Sequence, residues 1–141
     1  MTRIDFYIDA ANKLEVACRL VGKAYATANR VLVYTPDEAL ARSIDKLLWT
    51  TPAIAFVPHV MANDPLAEET PVLIALDGER IDRDDVLVNL HREWPPFFAR
   101  FRRLLEIVGV EEDDKAAART RYKHYRDRGY PIDTHRLSGH G

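Results

Sequence analysis

The fold class is decided by residues 31–38, Val-Leu-Val-Tyr-Thr-Pro-Asp-Glu. The first half of this stretch is a short unbroken run rich in β-branched residues, which predicts a central strand covered on both faces of a sheet. The second half has the features of a helix start, because a capping hydroxyl at Thr35 is followed by a proline and then by acids. A buried strand that leads at once into a helix is typical of an α/β domain.

The rest of the chain extends this pattern in both directions. Alternating or continuous apolar residues predict further strands, and apolar residues at helical spacing predict helices. The predicted strands are 4–9, 31–34, 72–76 and 86–90. The predicted helices are 12–28, from Pro36 to before Pro52, 95–101, and 111–128. The sequence does not decide the secondary structure of two segments. Residues 53–60 form either a strand or an extended stretch, and residues 104–110 form either a helix end or a strand.

These elements predict one domain with three layers over residues 1–134. Its sheet is expected to be mixed but mostly parallel, with helices on both faces. Residues 135–141 are expected to form a flexible C-terminal tail.

Composition narrows the class of protein. The chain has 141 residues, the usual size of one domain, and a formal net charge of −2, so it has no overall attraction to nucleic acid. Cys18 is the only cysteine, which excludes an internal disulfide. No apolar run approaches the ~20 residues that span a membrane, and the first ten residues do not have the pattern of a signal peptide. We therefore expect a cytoplasmic protein.

The sequence carries no motif typical of catalysis. The turns after the first two predicted strands contain no glycine, so a phosphate-binding loop is not expected. The five histidines show no i, i+4 pair that would form a zinc site on a helix, and there is no Gly-x-Ser-x-Gly motif. Cys18 is expected to be a buried thiol, and the acids at 82, 84 and 85 a solvated turn. We expect no cofactor, no metal and no enzymatic activity.

The last predicted helix is the strongest candidate for a binding surface. Helical spacing places Lys115, Arg119, Tyr122 and Arg126 on one stripe. Such a stripe offers cations for carboxylates or phosphates beside an aromatic wall. An acidic peptide and a nucleic-acid backbone both fit, and a merely solvated basic face remains an alternative; the slightly negative net charge favours the peptide.

A second aromatic segment lies near the middle of the chain. It runs from Leu47-Leu48-Trp49 to Phe56-Val57-Pro58-His59. Aromatic residues so close to prolines form either part of the core or an exposed interface. Composition does not separate these alternatives, and the core is the default.

Several of these segments occur in the same order and at similar intervals in one known family. They are Phe6-Tyr7, Leu48-Trp49, Phe56-Val57-Pro58-His59, and Arg121-Tyr122-Lys123-His124-Tyr125-Arg126. On these residues the sequence resembles the chi subunit of bacterial DNA polymerase III over nearly the whole chain. The combination of Trp-x6-Phe-Val-Pro-His with the late Arg-Tyr-Lys-x-Tyr-Arg is its most specific part.

The resemblance implies a fold like that of nucleotide-binding domains but without a phosphate loop. It also implies a non-catalytic subunit of the clamp-loader assembly, which pairs with the psi subunit and binds the acidic C-terminal tail of the single-stranded-DNA-binding protein. The positions that match the tail-binding site are Lys115, Arg119 and Tyr122, with Val108 and Thr134 nearby. The positions that match the surface for psi, or for another partner such as a helicase, are Trp49, Phe56, Pro58 and His59. The alternative is a nucleic-acid-binding domain that uses the basic helix on phosphates.

Overall fold

The protein is described by a computed structural model that covers residues 1–27, 29–51, 57–78 and 81–137. The strands in these ranges are β1 (Arg3–Ala10), β2 (Val31–Tyr34), β3 (His59–Met61), β4 (Val72–Ala75), β5 (Val86–Asn89), β6 (Arg103–Gly109) and β7 (Ile132–Arg136). The α-helices are α1 (Lys13–Ala26), α2 (Glu38–Thr50) and α3 (Glu112–Asp127). Short 3-10 turns occur at Ala67–Glu69 and Phe98–Arg100. None of the helices so described is long and apolar enough to cross a membrane.

The seven strands form one sheet in the order β3-β4-β2-β5-β6-β1-β7. Every strand pair between the described strands is parallel. The prediction of a mixed sheet was therefore wrong, although the α/β class is confirmed. Strands β4 and β5 do not form a hairpin, because they lie on opposite sides of β2.

Alternation along the central strands divides the core into two halves. In β2, Val31 and Val33 pack with α1 and α2, whereas Leu32 packs with the cluster that contains Tyr125 of α3. These three residues are fully buried. The predicted coverage of this strand on both faces is thus confirmed, and the helices lie on both sides of the sheet as expected for three layers.

The helix that follows β2 begins differently from the prediction. Its N-cap is Asp37, whose side chain accepts a hydrogen bond from the Leu40 backbone N–H at 2.8 Å. The Thr35 hydroxyl is buried and donates instead to the Ala75 carbonyl oxygen of β4 at 3.1 Å. Thr35, which was predicted to cap the helix, therefore links the end of β2 to the end of β4.

The C-terminal half differs from the prediction in three elements. Residues 95–101 contain only the 3-10 turn Phe98–Arg100 rather than a helix, and the ambiguous segment 104–110 is strand β6. Strand β7 was not predicted, because after Ile132 its residues are exposed and polar and therefore show no apolar alternation. His135 and Arg136, which were expected to begin the C-terminal tail, belong to β7. Residues 138–141 of the expected tail lie outside the described residues.

Candidate functional site

A groove of about 400 Å³ lies between α3 and the strands β1, β6 and β7. These elements meet at one end of the sheet because β6 pairs with β1, and β1 pairs with the edge strand β7. The five residues predicted for tail binding all line this groove: Val108, Lys115, Arg119, Tyr122 and Thr134. The structure thus brings together, from three elements, the set that the family resemblance selected.

The floor of the groove is apolar. Phe6 and Val108 are 2% and 4% exposed, and Ala118 of α3 is also buried. The Tyr122 ring is partly exposed, and its centroid lies 5.4 Å from that of Phe6 in a tilted arrangement. The groove therefore offers an aromatic and aliphatic slot that is open to solvent on one side.

Two cations stand above this slot on successive turns of α3. Lys115 is half-buried and Arg119 is exposed, and both line the groove. The ion pairs that α3 makes within the described chain involve five other residues: Asp113, Asp114, Arg121, Arg126 and Asp127. Lys115 and Arg119 are therefore available for an anionic ligand. Arg126, predicted on the same stripe, does not line the groove.

A buried polar network holds α3 against β6. Glu106 and Arg121 are 0% and 1% exposed, and Arg121 Nε donates to Glu106 Oε1 at 3.0 Å. Tyr125 Oη donates to Glu106 Oε2 at 2.6 Å, and Asn89 Nδ2 donates to the same carboxylate at 3.1 Å. Burial raises the pKa of Glu106, and the charge of Arg121 and these hydrogen bonds oppose the rise. The network fixes the position of the helix that carries Lys115 and Arg119.

The turn between β6 and α3 is fixed by Asp114. This carboxylate is 4% exposed, accepts a hydrogen bond from the Gly109 backbone N–H at 2.7 Å and pairs with Lys13 Nζ at 3.1 Å. Burial opposes ionisation, but these two donors hold the pKa of Asp114 below its ordinary value. The N-cap residue, Glu111, makes no capping hydrogen bond with its side chain, and Asp114 binds back to the strand.

The second predicted surface is only partly exposed. Trp49 is 55% exposed at the end of α2, and Pro58 is exposed, so the default assignment of this aromatic segment to the core does not hold for them. His59 is 2% exposed, and its Nδ1 and Nε2 lie 2.8 Å and 3.3 Å from the carbonyl oxygens of Val57 and Asp45. The ring of His59 lies against that of Trp49 with centroids 4.3 Å apart, so Trp49 and not His59 is presented at the surface, and the interface assignment stays a prediction. Phe56 lies outside the described residues.

Comparison with known proteins gives the same family over the same span. The family model described as DNA polymerase III chi subunit, HolC, matches residues 1–133. The chain belongs to this family. DNA polymerase III subunit chi of Pseudomonas aeruginosa is 38% identical over 97% of this chain and 98% of that protein. The subunit chi of Escherichia coli is 33% identical, over 92% of this chain and 90% of its own length. The subunit chi of Haemophilus influenzae is 34% identical over 85% of this chain. The resemblance found in the sequence is confirmed.

Some residues of the groove in this chi-family chain were not found from the sequence. Asp9 and Arg136 also line it, and they form an ion pair at 3.7 Å. Arg136 was missed because β7 was not predicted. Asp9 was assigned only to the alternation of β1, whereas its backbone has an unusual φ of 62° and its side chain lines the groove.

Proposed function

We propose that this chain is a non-catalytic accessory subunit of the DNA polymerase III holoenzyme that acts in DNA replication in the cytoplasm. It binds the acidic C-terminal tail of the single-stranded-DNA-binding protein and so links that protein to the clamp-loader complex. The observation that carries this proposal is the groove in which Lys115 and Arg119, which form no ion pair with the described residues, lie beside an apolar slot. Membership of the chi family supports the assignment to the polymerase.

The groove is complementary to a peptide that ends in phenylalanine and contains acids. The terminal carboxylate and a neighbouring aspartate would accept charge-assisted hydrogen bonds from Lys115 and Arg119. The terminal phenyl ring would enter the slot formed by Phe6, Val108 and Tyr122, where offset or edge-on aromatic contacts are favourable. A volume of about 400 Å³ accommodates a few residues rather than a folded domain. So small an interface predicts a micromolar Kd, or about −8 kcal/mol.

The proposal is tested by titrating a tail peptide into Arg119→Ala by calorimetry. We expect affinity to fall at least about tenfold, since one charge-assisted contact contributes about 1.5–3 kcal/mol. Lys123→Ala is the matched control, because Lys123 is an exposed cation of the same helix that does not line the groove. Unchanged affinity in Arg119→Ala, with an unchanged melting temperature, would refute the tail-binding assignment.

The same proteins also test the nucleic-acid alternative. Bare single-stranded DNA is titrated in the absence of the single-stranded-DNA-binding protein at several salt concentrations. Binding through phosphates would weaken steeply with salt and would be reduced by both Arg119→Ala and Lys123→Ala. Binding of the peptide without binding of DNA supports the adaptor function.

We further propose that the surface around Trp49 and Pro58 binds the psi subunit or another partner of the replication machinery. An exposed tryptophan supported by a buried histidine is a preorganised anchor of the kind that dominates interfaces. Trp49→Ala should abolish co-purification with psi, whereas Leu66→Ala should not, although Leu66 is also 55% exposed. A psi complex that elutes intact with Trp49→Ala would show that this surface is not the interface.

A further inference from the structure

Asp9 occupies a backbone conformation that side-chain-bearing residues rarely adopt. Its φ is 62°, and among the described residues it is the only one besides glycine with positive φ. The pairing of β1 with β6 shifts register between Tyr7 and Ala10, so this conformation belongs to an irregularity in the strand. Asp and Asn tolerate the left-handed region best after glycine, yet the conformation still costs backbone strain. Its effect is to place a carboxylate at the rim of the groove.

That carboxylate lies among the cations of the groove. Asp9 Oδ2 is 3.7 Å from Arg136 Nη1 on the neighbouring edge strand. Of the described residues that line the groove, three carry a positive charge, namely Lys115, Arg119 and Arg136, and Asp9 alone carries a negative charge. The side chain of Arg136 is 77% exposed, so its guanidinium can turn from Asp9 to a ligand.

We propose that Asp9 is a specificity-determining residue of this groove, because it holds Arg136 and competes with the carboxylates of an acidic peptide for it. The inference rests on the proposed function, and it concerns how much each part of the peptide contributes to its affinity for the groove. Lys115 and Arg119 remain free for the peptide terminus, whereas an upstream acid reaches Arg136 only by displacing Asp9. The competition lowers the contribution of the ligand's charge to its binding affinity. The fit of the peptide in the apolar slot then accounts for more of the difference in affinity between peptides.

The test is a double-mutant cycle by calorimetry at low salt, where screening is weakest. The probe is an acidic peptide ending in phenylalanine, and its control has the internal acids replaced by their amides. Exposed ion pairs contribute about 0.2–1 kcal/mol, so Asp9→Asn should raise affinity for the acidic probe about two- to fivefold. Affinity for the amide probe should not change. The gain should disappear when Arg136→Ala is also present.

A second variant separates the charge from the backbone. Asp9→Gly removes the carboxylate and adopts positive φ without strain, so it should show the same gain as Asp9→Asn. A gain in Asp9→Gly without a gain in Asp9→Asn would overturn the inference, because it would point to the backbone rather than the charge. A gain in Asp9→Asn alone supports the inference, because Asn keeps the side chain and lacks only the charge.

The remaining outcomes are distinct from those of the proposed function. If the wild-type chain binds the acidic probe and neither variant gains, or if the gain persists with Arg136→Ala, the competition is refuted and tail binding stands. If neither the wild-type chain nor the variants bind, both proposals are overturned. Binding that appears only in the Asp9 variants supports the competition and contradicts the proposed function.

Discussion

The buried pair of Glu106 and Arg121 gives the largest predicted effect on stability. Arg121→Met keeps an unbranched side chain as far as the position of Nε but leaves the Glu106 carboxylate, which is 0% exposed, without its cation. Removing one partner of a buried ion pair costs about 3–5 kcal/mol, because the other charge stays buried and uncompensated. A domain of this size is stable by only about 5–15 kcal/mol, so the loss is a large fraction of the total. The melting temperature should fall by about 10–20 °C.

The pH dependence of this loss identifies its cause. Without Arg121, the pKa of Glu106 rises further, because burial already raises it and the main opposing charge is gone. A group whose pKa is higher in the folded state stabilises the fold below its unfolded pKa and loses that contribution as pH rises. The deficit of Arg121→Met relative to the wild-type chain should therefore shrink as pH falls from about pH 8 to about pH 5.

Urea unfolding followed by circular dichroism measures both effects. Arg126→Met is the control, since Arg126 pairs with Asp127 in an exposed position and should cost under about 1 kcal/mol. Adding Glu106→Gln to Arg121→Met removes the buried charge and should recover part of the loss. A deficit below about 1 kcal/mol, or one that does not change with pH or with Glu106→Gln, would refute this account of the network.

Three further predictions concern other parts of the chain. Burial opposes ionisation of Asp5, but hydrogen bonds with His135 and Arg103 hold its pKa below the ordinary value. Asp5→Asn should therefore lower the free energy of unfolding at neutral pH, and that free energy should fall less on acidification than in the wild-type chain, as measured by urea unfolding across pH. Burial raises the pKa of Cys18 to about 11, so a thiol reagent near pH 8 should label it only in urea, and fast labelling of the folded chain would contradict its burial. A Cβ at Gly78 would lie 2.4 Å from the Phe97 ring, so Gly78→Ala should cost about 1–3 kcal/mol of unfolding free energy.

The central strands could be predicted from the sequence because their signal is local. Strands β2, β4 and β5 are short apolar runs buried on both faces, and such runs are recognisable without knowledge of their neighbours. Strand β7 carries no such signal, since its residues after Ile132 are exposed and polar and it joins the sheet as an edge strand beside β1. At 95–101 the prolines suggested a helix start, but Phe98 and Phe101 are buried under tertiary contacts that the local pattern does not contain.

The groove was predictable only in part for a related reason. Helical spacing alone places Lys115, Arg119 and Tyr122 on one face of α3. Val108 and Thr134 come from other elements, so only the family resemblance could add them. Glu106 gave no clear signal, because an acid within an apolar segment is expected to be solvated unless its partners on α3 and β5 are known.

Arginines two residues apart on α3 have opposite roles, which a count of its charges cannot show. Arg119 is exposed at the groove, whereas Arg121 is 1% exposed and paired with Glu106. Two residues on a helix are separated by about 200° around its axis, so a helix lying on a sheet turns one of them outward and the other inward. Arg121→Met should therefore change stability, and Arg119→Ala should change peptide affinity with little effect on folding. The buried pair fixes α3, and only a fixed helix can hold Lys115 and Arg119 at a constant distance from the apolar slot.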